Sequence, residues 1–231
     1  MNDAELDESF RNPLDQALTR WAGTLEHQPP PDLAHVPAED RRLLGAVVSV
    51  WQGILDPNGQ GINHCAHTSY LVRNILKGVA GIDSHPVTVT VDLEFANRGG
   101  TRVSLGQRNP RIRKLANGYP TWTGHEIIYI PQWSVALDLT AGQVSLLHPT
   151  LKGCVVYPVA VRLSVEPRTG TSFPAEVIAS DIGVFGQAVY TVGRANYSYR
   201  EAAQWSAQQA ELDRGVAHAV ATLEEAGFSS D

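Results

Sequence analysis

Three residues of this 231-residue chain have the types and the placement that nucleophilic catalysis requires, namely Cys65, His125 and Asp138. A cysteine nucleophile needs a stabilised thiolate, a base that reaches its sulfur and a third group that orients the base. Cys65 lies at the predicted start of a helix, where unpaired amides and the helix dipole stabilise negative charge. His125 begins one predicted strand and Asp138 ends the next, so antiparallel pairing would bring imidazole and carboxylate together. The pattern predicts a Cys-His-Asp triad.

The element that carries the cysteine is a predicted amphipathic helix. Asn63 is a favourable N-cap, and Gly78 or Gly81 is a favourable stop, so Cys65 falls in the first turn. One face of this helix then consists of residues spaced for burial: Cys65, Ser69, Val72, Leu76 and Val79.

The elements that carry His125 and Asp138 are two short apolar segments, HEIIYIP and SVALDL. The intervening PQW predicts a turn and therefore a hairpin. Upstream, HPVTVTVDLEF alternates apolar and polar residues with the period of a strand. Downstream, CVVYPVAVRLSV and PAEVIASDIGVFGQAVYTVG are rich in β-branched residues and predict further strands.

The remaining elements are helical. Apolar residues about four apart predict a helix over about 4–26, interrupted at Pro13, and a second helix from near Pro37 to the turn DPNGQG. A long helix is predicted over about 199–226. Helices, then strands, then a helix indicate an α+β fold: a helical N-terminal part packed on an antiparallel sheet, with a long C-terminal helix. We expect one domain over 1–231, with a helical extension at 1–36 and the C-terminal helix within 199–231.

The motifs GINHCAHTSYLVRNIL, TWTGHEIIYI and VALDLTAGQ, in this order, resemble the transglutaminase-like branch of the papain-fold cysteine enzymes. Arylamine N-acetyltransferases share the Cys, His, Asp order. The resemblance covers about residues 50–145, and Ala66 stands where these enzymes often have tryptophan. It implies a papain-like core, a thioester on Cys65, and an oxyanion held by the Cys65 amide with Gln60. Trp122, just before His125, is a weaker candidate for contacting the oxyanion or substrate.

These residues predict a cysteine acyl-transfer enzyme that acts on a peptide or amide bond and uses no cofactor. Hydrolysis is favoured over transfer to an amine, because water needs no second binding site. The alternative is a catalytically inactive binding or structural protein on the same fold.

A metal site is a competing interpretation of His64, Cys65 and His67 together with His125. Adjacent side chains on a helix project about 100° apart and rarely share one ion, and the sequence has no HExxH motif. We therefore expect no metal. Cys154, at a predicted strand start, is expected to be buried and inert.

Composition limits the partners. The net charge of −6 argues against general binding of nucleic acid, and no apolar run approaches the ~20 residues of a membrane span. The acidic N-terminus does not resemble a secretory signal, so a cytoplasmic location is expected. The sequence leaves the oligomeric state open.

Positive charge is concentrated just before His125. Between Phe95 and His125 there are six basic residues and no acid. We predict a long exposed loop over 98–114, in which Arg108, Arg111 and Arg113 attract an anionic substrate. The alternative is a solvated connector that offsets the acidic N-terminal region.

Overall fold

The computed structural model describes residues 16, 18–55, 65–95, 100–114, 120–144, 155–180, 184–201 and 203–229. Its helices are α1 (18–24), α2 (Ala38–Leu55), α3 (Cys65–Ala80) and α4 (Ala203–Glu225). All the described strands lie between α3 and α4, so the predicted α+β class with a long C-terminal helix is confirmed. Within the described segments, no helix combines the length and apolarity needed to cross a bilayer.

The helix boundaries follow from local sequence. Between α1 and α2 the chain forms a short 3-10 turn, Pro31–Leu33, and α2 then begins with Glu39 and Asp40 in its first turn. Those acids suit the positive end of the helix dipole. The α3 helix ends at Gly81, which has a φ of 65° and donates its N–H to the Lys77 carbonyl. A left-handed glycine is the usual way to end a helix.

The strands are β1 (His85–Phe95), β2 (Thr101–Leu105), β3 (Ile112–Lys114), β4 (Pro120–Trp122), β5 (His125–Ile130), β6 (Val135–Asp138), β7 (Val155–Val156), β8 (Val159–Arg162), β9 (Ser172–Ser180) and β10 (Val184–Val192). The main sheet is antiparallel at every described pairing. Its strands follow the order β7-β9-β10-β1-β5-β6-β8, with β2 also paired to β1. β8 also approaches β9, so the sheet curves towards a barrel. β3 and β4 form a separate two-stranded sheet.

The sheet separates two apolar cores, and β5 contributes to both. Ile128 and Ile130 pack with the helices, whereas Ile127 and Tyr129 pack inside the curve of the sheet. This alternation is the ordinary consequence of the two-residue period of a strand. All six residues of β5 are buried, so any polar residue on this strand must find its partner inside the protein.

The predicted long loop over 98–114 is wrong for most of its described length, because β2 and β3 lie within it. The segment TRVSL alternates: Val103 and Leu105 are buried, whereas Arg102 and Ser104 face outward. Arg102 forms an ion pair with Glu94 at 3.0 Å. The single basic residue of β2, Arg102, therefore lies on the solvated face of a strand that pairs with β1, and not in a loop.

The N-terminal helix is described only in part. Residues 1–15 and 17 lie outside the described residues, as do 56–64 with the predicted turn and N-cap. The described part has Leu18, Trp21 and Leu25 buried in the helical core, as the predicted spacing requires.

The C-terminal helix packs on α3 and α2. Leu212, Ala219 and Leu223 are buried on it, in the helical core. We expect Leu223→Ala to lower the free energy of unfolding by about 2–5 kcal/mol, because truncating a buried leucine leaves a cavity. Glu224→Ala, at the exposed neighbouring position, should change it by less than about 0.5 kcal/mol.

Urea denaturation of both variants measures the difference.

Deleting residues 199–231 should cause aggregation, since the apolar face of α3 would become exposed. A truncated chain that melts as the full chain does would show that α4 is a detachable tail.

Candidate functional site

Cys65 is the first residue of α3 and is 6% exposed. The amides of a first helical turn lack intrahelical acceptors, so they stabilise negative charge at such a position. The buried side of α3 includes Cys65, Ser69, Val72, Leu76 and Val79, as predicted, and this helix packs on β5. Packing of the helix therefore carries the sulfur to the strand that begins with His125.

His125 and Asp138 come together through the β5–β6 hairpin. The strands pair antiparallel with Ile128 opposite Leu137, and the 3-10 turn Pro131–Trp133 connects them. The His125 Nε2 and Asp138 Oδ2 atoms lie 2.8 Å apart, and both side chains are almost completely buried. The predicted contact between imidazole and carboxylate is therefore present.

The Asp138 carboxylate is surrounded by donors. Its Oδ1 atom accepts bonds from the Thr140 backbone N–H at 3.0 Å and the Thr140 hydroxyl at 3.2 Å. Its Oδ2 atom accepts bonds from His125 and from the Tyr190 hydroxyl, the latter at 3.0 Å. An ionised carboxylate only accepts hydrogen bonds, so this arrangement makes Nε2 of His125 the donor.

The electrostatics favour the charged imidazole. Burial alone would lower the pKa of His125, but the charge of Asp138 and its hydrogen bond raise this pKa to about 10. A hydrogen bond between Cys65 and His125 contributes in the same direction. Because Nε2 is held by Asp138, Nδ1 is the ring nitrogen left for the thiol. An imidazolium at this place is the charge that stabilises a neighbouring thiolate.

Gly106 fixes the backbone around His125. β2 and β5 lie end to end along one edge of β1, with Leu105 opposite Val91 and His125 opposite Val89. Gly106 follows β2 with a φ of 75°, and a Cβ there would lie 2.5 Å from the Val89 carbonyl oxygen and 2.8 Å from the His125 nitrogen. A side chain at this position would therefore displace the strand end that carries His125.

The other predicted site residues form no described contact with Cys65, His125 or Asp138. Trp122 is partly buried against Tyr199, with ring centroids 4.9 Å apart, and its Nε1 has no hydrogen-bond partner among the described residues. Arg108, Arg111 and Arg113 are exposed. Their segment follows Gly106 and so begins beside His125. Gln60 lies outside the described residues, as do His64 and Cys154.

The metal interpretation has no geometric support among the described residues. No group of three or more histidine, cysteine or acidic side chains there is arranged to hold an ion. The His67 ring stacks on Trp205, with centroids 5.0 Å apart.

Two buried polar residues were not predicted: one contacts the site, and the other lies on the far side of the same strand. Tyr190 lies on β10, and its strand pattern carries no sign that it reaches Asp138. Glu126 had a detectable signal, because it is an acid inside the otherwise apolar segment HEIIYI. An acid on a buried strand needs an internal partner.

Glu126 faces the helices, on the opposite side of β5 from His125. Its Oε2 atom accepts a bond from the Tyr199 hydroxyl at 2.8 Å. Burial raises the pKa of Glu126 to about 7, against the opposing effects of the Tyr199 bond, the Arg200 charge, a Ser69 bond and the Arg73 charge. The strand thus carries two buried ionisable groups, one on each face.

Glu126 makes folding depend on pH. Its folded pKa is above the ordinary value of 4.5, so the folded state holds the proton more tightly than the unfolded chain. Its stabilising contribution is complete below pH 4.5 and is lost as pH rises to about 7. This loss amounts to at most about 3 kcal/mol in the free energy of unfolding. We expect it to be absent from the pH profile of Glu126→Gln.

The measurement is the free energy of unfolding by urea from pH 4.5 to 9. His125 also has a raised pKa, so it should cause a further loss between about 6.5 and 10 in both proteins. An exposed control, Glu224→Gln, should follow the parent curve. Identical pH profiles for Glu126→Gln and the parent protein would contradict the assignment.

Comparison with known proteins yields no relatives: no family model matches the chain, and no curated protein or solved structure matches it.

Proposed function

We propose that the chain is a cysteine acyl-transfer enzyme that forms a thioester on Cys65 and acts on a peptide or amide bond. One observation carries the proposal: Cys65, His125 and Asp138 form a continuous chain of side-chain contacts. Three residues from a helix and two strands meet in the order that nucleophile, base and orienting group require.

The first chemical step is attack on a carbonyl carbon. The reactive pair is the Cys65 thiolate with the His125 imidazolium, in which Asp138 accepts from Nε2 and Nδ1 faces the sulfur. A carbon–sulfur bond forms, and the carbonyl π electrons move onto oxygen. The tetrahedral intermediate collapses as Nδ1 gives its proton to the leaving amine, so a thioester and a neutral imidazole remain.

The second step returns the enzyme to its starting state. The neutral imidazole takes a proton from water at Nδ1, and the resulting hydroxide attacks the thioester. The carbon–sulfur bond breaks, and a carboxylic acid leaves while thiolate and imidazolium are restored. An amine in place of water would make the enzyme an acyltransferase. Hydrolysis is favoured because it needs no second binding site.

The developing oxyanion needs donors. The backbone N–H of Cys65 is one, because it lies at a helix N-terminus. Trp122 is a second candidate, since its buried Nε1 lacks a partner among the described residues. Gln60 is the candidate implied by the resemblance to transglutaminase-like enzymes.

The papain-like or transglutaminase-like core belongs to the same proposal. Its support is a cysteine at a helix start with histidine and aspartate on neighbouring strands of a curved antiparallel sheet. The proposed core covers about 50–145, and Ala66 in place of tryptophan departs from the family pattern.

The alternative is an inactive binding protein that keeps these contacts. The low exposure of Cys65, 6%, is the observation that favours it. Reactivity of Cys65 separates the two functions.

An activated Cys65 should be alkylated by iodoacetamide at pH 6 well ahead of Cys154. We expect His125→Ala to lower the Cys65 rate at pH 6 by about 10–100-fold, because the imidazolium that stabilises the thiolate is lost. Mass spectrometry of the tryptic peptides measures both rates. His67→Ala is a matched control on α3 and should leave the Cys65 rate unchanged.

Against a panel of peptide and amide substrates, Cys65→Ala and His125→Ala should abolish turnover while circular dichroism shows an intact fold. Asp138→Asn should lower kcat by about 10²–10⁴-fold, since the wrong tautomer of His125 is then favoured. Equal alkylation rates for Cys65 and Cys154, with no turnover, would favour the inactive binding protein.

Three exposed arginines near the site would attract an anionic substrate. Arg108, Arg111 and Arg113 are exposed and begin two residues after the glycine that contacts His125. We expect their joint replacement by alanine to raise KM for an anionic substrate and to flatten its salt dependence, because the steering field is removed. A neutral substrate should be unaffected.

The control is a triple alanine variant that removes equal charge elsewhere on the exposed surface: Arg20, Arg162 and Arg168. Salt titrations of kcat/KM from 20 to 500 mM compare the two variants. If anionic and neutral substrates respond alike to the first variant, the segment is a solvated connector.

A further inference from the structure

We propose that Tyr190 is a positioning residue of the candidate triad, which holds the Asp138 carboxylate in place for His125. Its catalytic consequence rests on the proposed function, but its effect on His125 does not. The proposal concerns a residue that is 52 positions beyond Asp138 in sequence and reaches it only through the sheet.

The geometry is specific to one oxygen atom. The Tyr190 hydroxyl donates to Asp138 Oδ2 at 3.0 Å, and His125 Nε2 lies 2.8 Å from that same atom. Thr140 occupies the other oxygen, Oδ1, with both its backbone N–H and its hydroxyl. Each oxygen therefore has two donors, and Tyr190 shares its oxygen with the imidazole.

The hydroxyl serves as a permanent donor. Burial and the neighbouring negative charge of Asp138 raise the pKa of Tyr190 well above its ordinary value. The phenol is therefore protonated at neutral pH, and its hydroxyl donates to Asp138. Two donors on Oδ2 restrict rotation of the carboxylate, so the acceptor that His125 meets is held in one place.

The position of the Tyr190 ring is set independently of this hydrogen bond. Tyr190 stands opposite Phe173 in the β9–β10 register, and the two rings stack with centroids 5.3 Å apart and planes at 2°. Tyr190 is 1% exposed and belongs to the core inside the curved sheet. Removing the hydroxyl alone should thus leave the ring in place, which makes Tyr190→Phe a clean probe.

A purely structural role of the Tyr190 hydrogen bond predicts a different result. In that case the bond only satisfies a buried hydroxyl, and its loss changes stability but not the imidazole. A positioning role also changes His125, because a carboxylate with one donor fewer concentrates its negative charge and attracts the imidazolium more strongly. The decisive readout is therefore the titration of His125, not thermal stability.

The experiment uses the full chain with ¹⁵N-labelled histidine, in a Cys65→Ala background that removes thiol titration. We expect Tyr190→Phe to raise the midpoint of the His125 titration by about one pH unit, a tenfold gain in proton affinity. The matched control is Tyr129→Phe: Tyr129 lies in the same core, and its hydroxyl is not bonded to Asp138. This control should leave the midpoint unchanged.

A second variant guards against a folding defect in Tyr190→Phe. Site-specific 3-fluorotyrosine at position 190 keeps the ring and makes the hydroxyl a stronger donor, so it should lower the His125 midpoint. Opposite shifts from the two variants would support positioning. Unchanged His125 midpoints in both variants would overturn it, as would equal shifts from position 129.

Failure of the proposed function has another signature. If Cys65 is unreactive to iodoacetamide at pH 6 while His125 still responds to changes at position 190, the catalytic proposal fails and the positioning role stands. If Cys65 is reactive and His125 ignores position 190, the reverse holds.

Discussion

The contact between His125 and Asp138 joins two ionisable side chains of 2% and 1% exposure at a distance of 2.8 Å. Taking such charges out of water costs several kcal/mol for each ion unless every polar atom finds a partner. Thr140 and Tyr190 supply the remaining donors to the carboxylate. The β5–β6 hairpin, the turn that contains Thr140 and strand β10 must therefore all be correctly placed for the buried pair to be stable. The local fold is organised around that requirement.

Strand β5 shows how one element serves two environments. Its side chains alternate, so His125 faces the inside of the curved sheet while Glu126 faces the helices. Each polar residue has its own set of partners: Asp138 for the first and Tyr199 for the second. Both groups hold a proton more tightly in the folded protein than in the unfolded chain. A hydrogen bond between Ser69 and Glu126 adds a polar link between α3, which carries Cys65, and β5.

The backbone around the site is equally constrained. Gly106 passes so close to Val89 and His125 that no side chain fits, because β2 and β5 share one edge of β1. Exposed arginines begin two residues later, so the charge of this segment starts from a fixed stretch of backbone beside His125. On the same strands, Arg102 offsets Glu94 and Ser104 bonds to Asp92. Arg102 thus lies on the solvated face of β2, whereas Arg113 and Lys114 belong to β3, which pairs with β4.

Residue types and periodicity were enough to predict the α+β class, the helix that begins at Cys65, and the hairpin that joins His125 to Asp138. These features depend on local rules: a helical repeat, a strand repeat, a turn, and the short distance between paired strands. The strand at 101–105 escaped prediction because the stretch around it is rich in bases, glycine and proline and therefore resembled a solvated loop. Tyr190 and Tyr199 could not be assigned to Asp138 and Glu126 from sequence, since those contacts join residues 52 and 73 positions apart. The order of strands in the sheet brings the Tyr190 hydroxyl to Asp138, and the packing of the chain after β10 brings the Tyr199 hydroxyl to Glu126. Only the tertiary structure decides these pairs, because local sequence does not specify the distance between elements that are far apart in the chain.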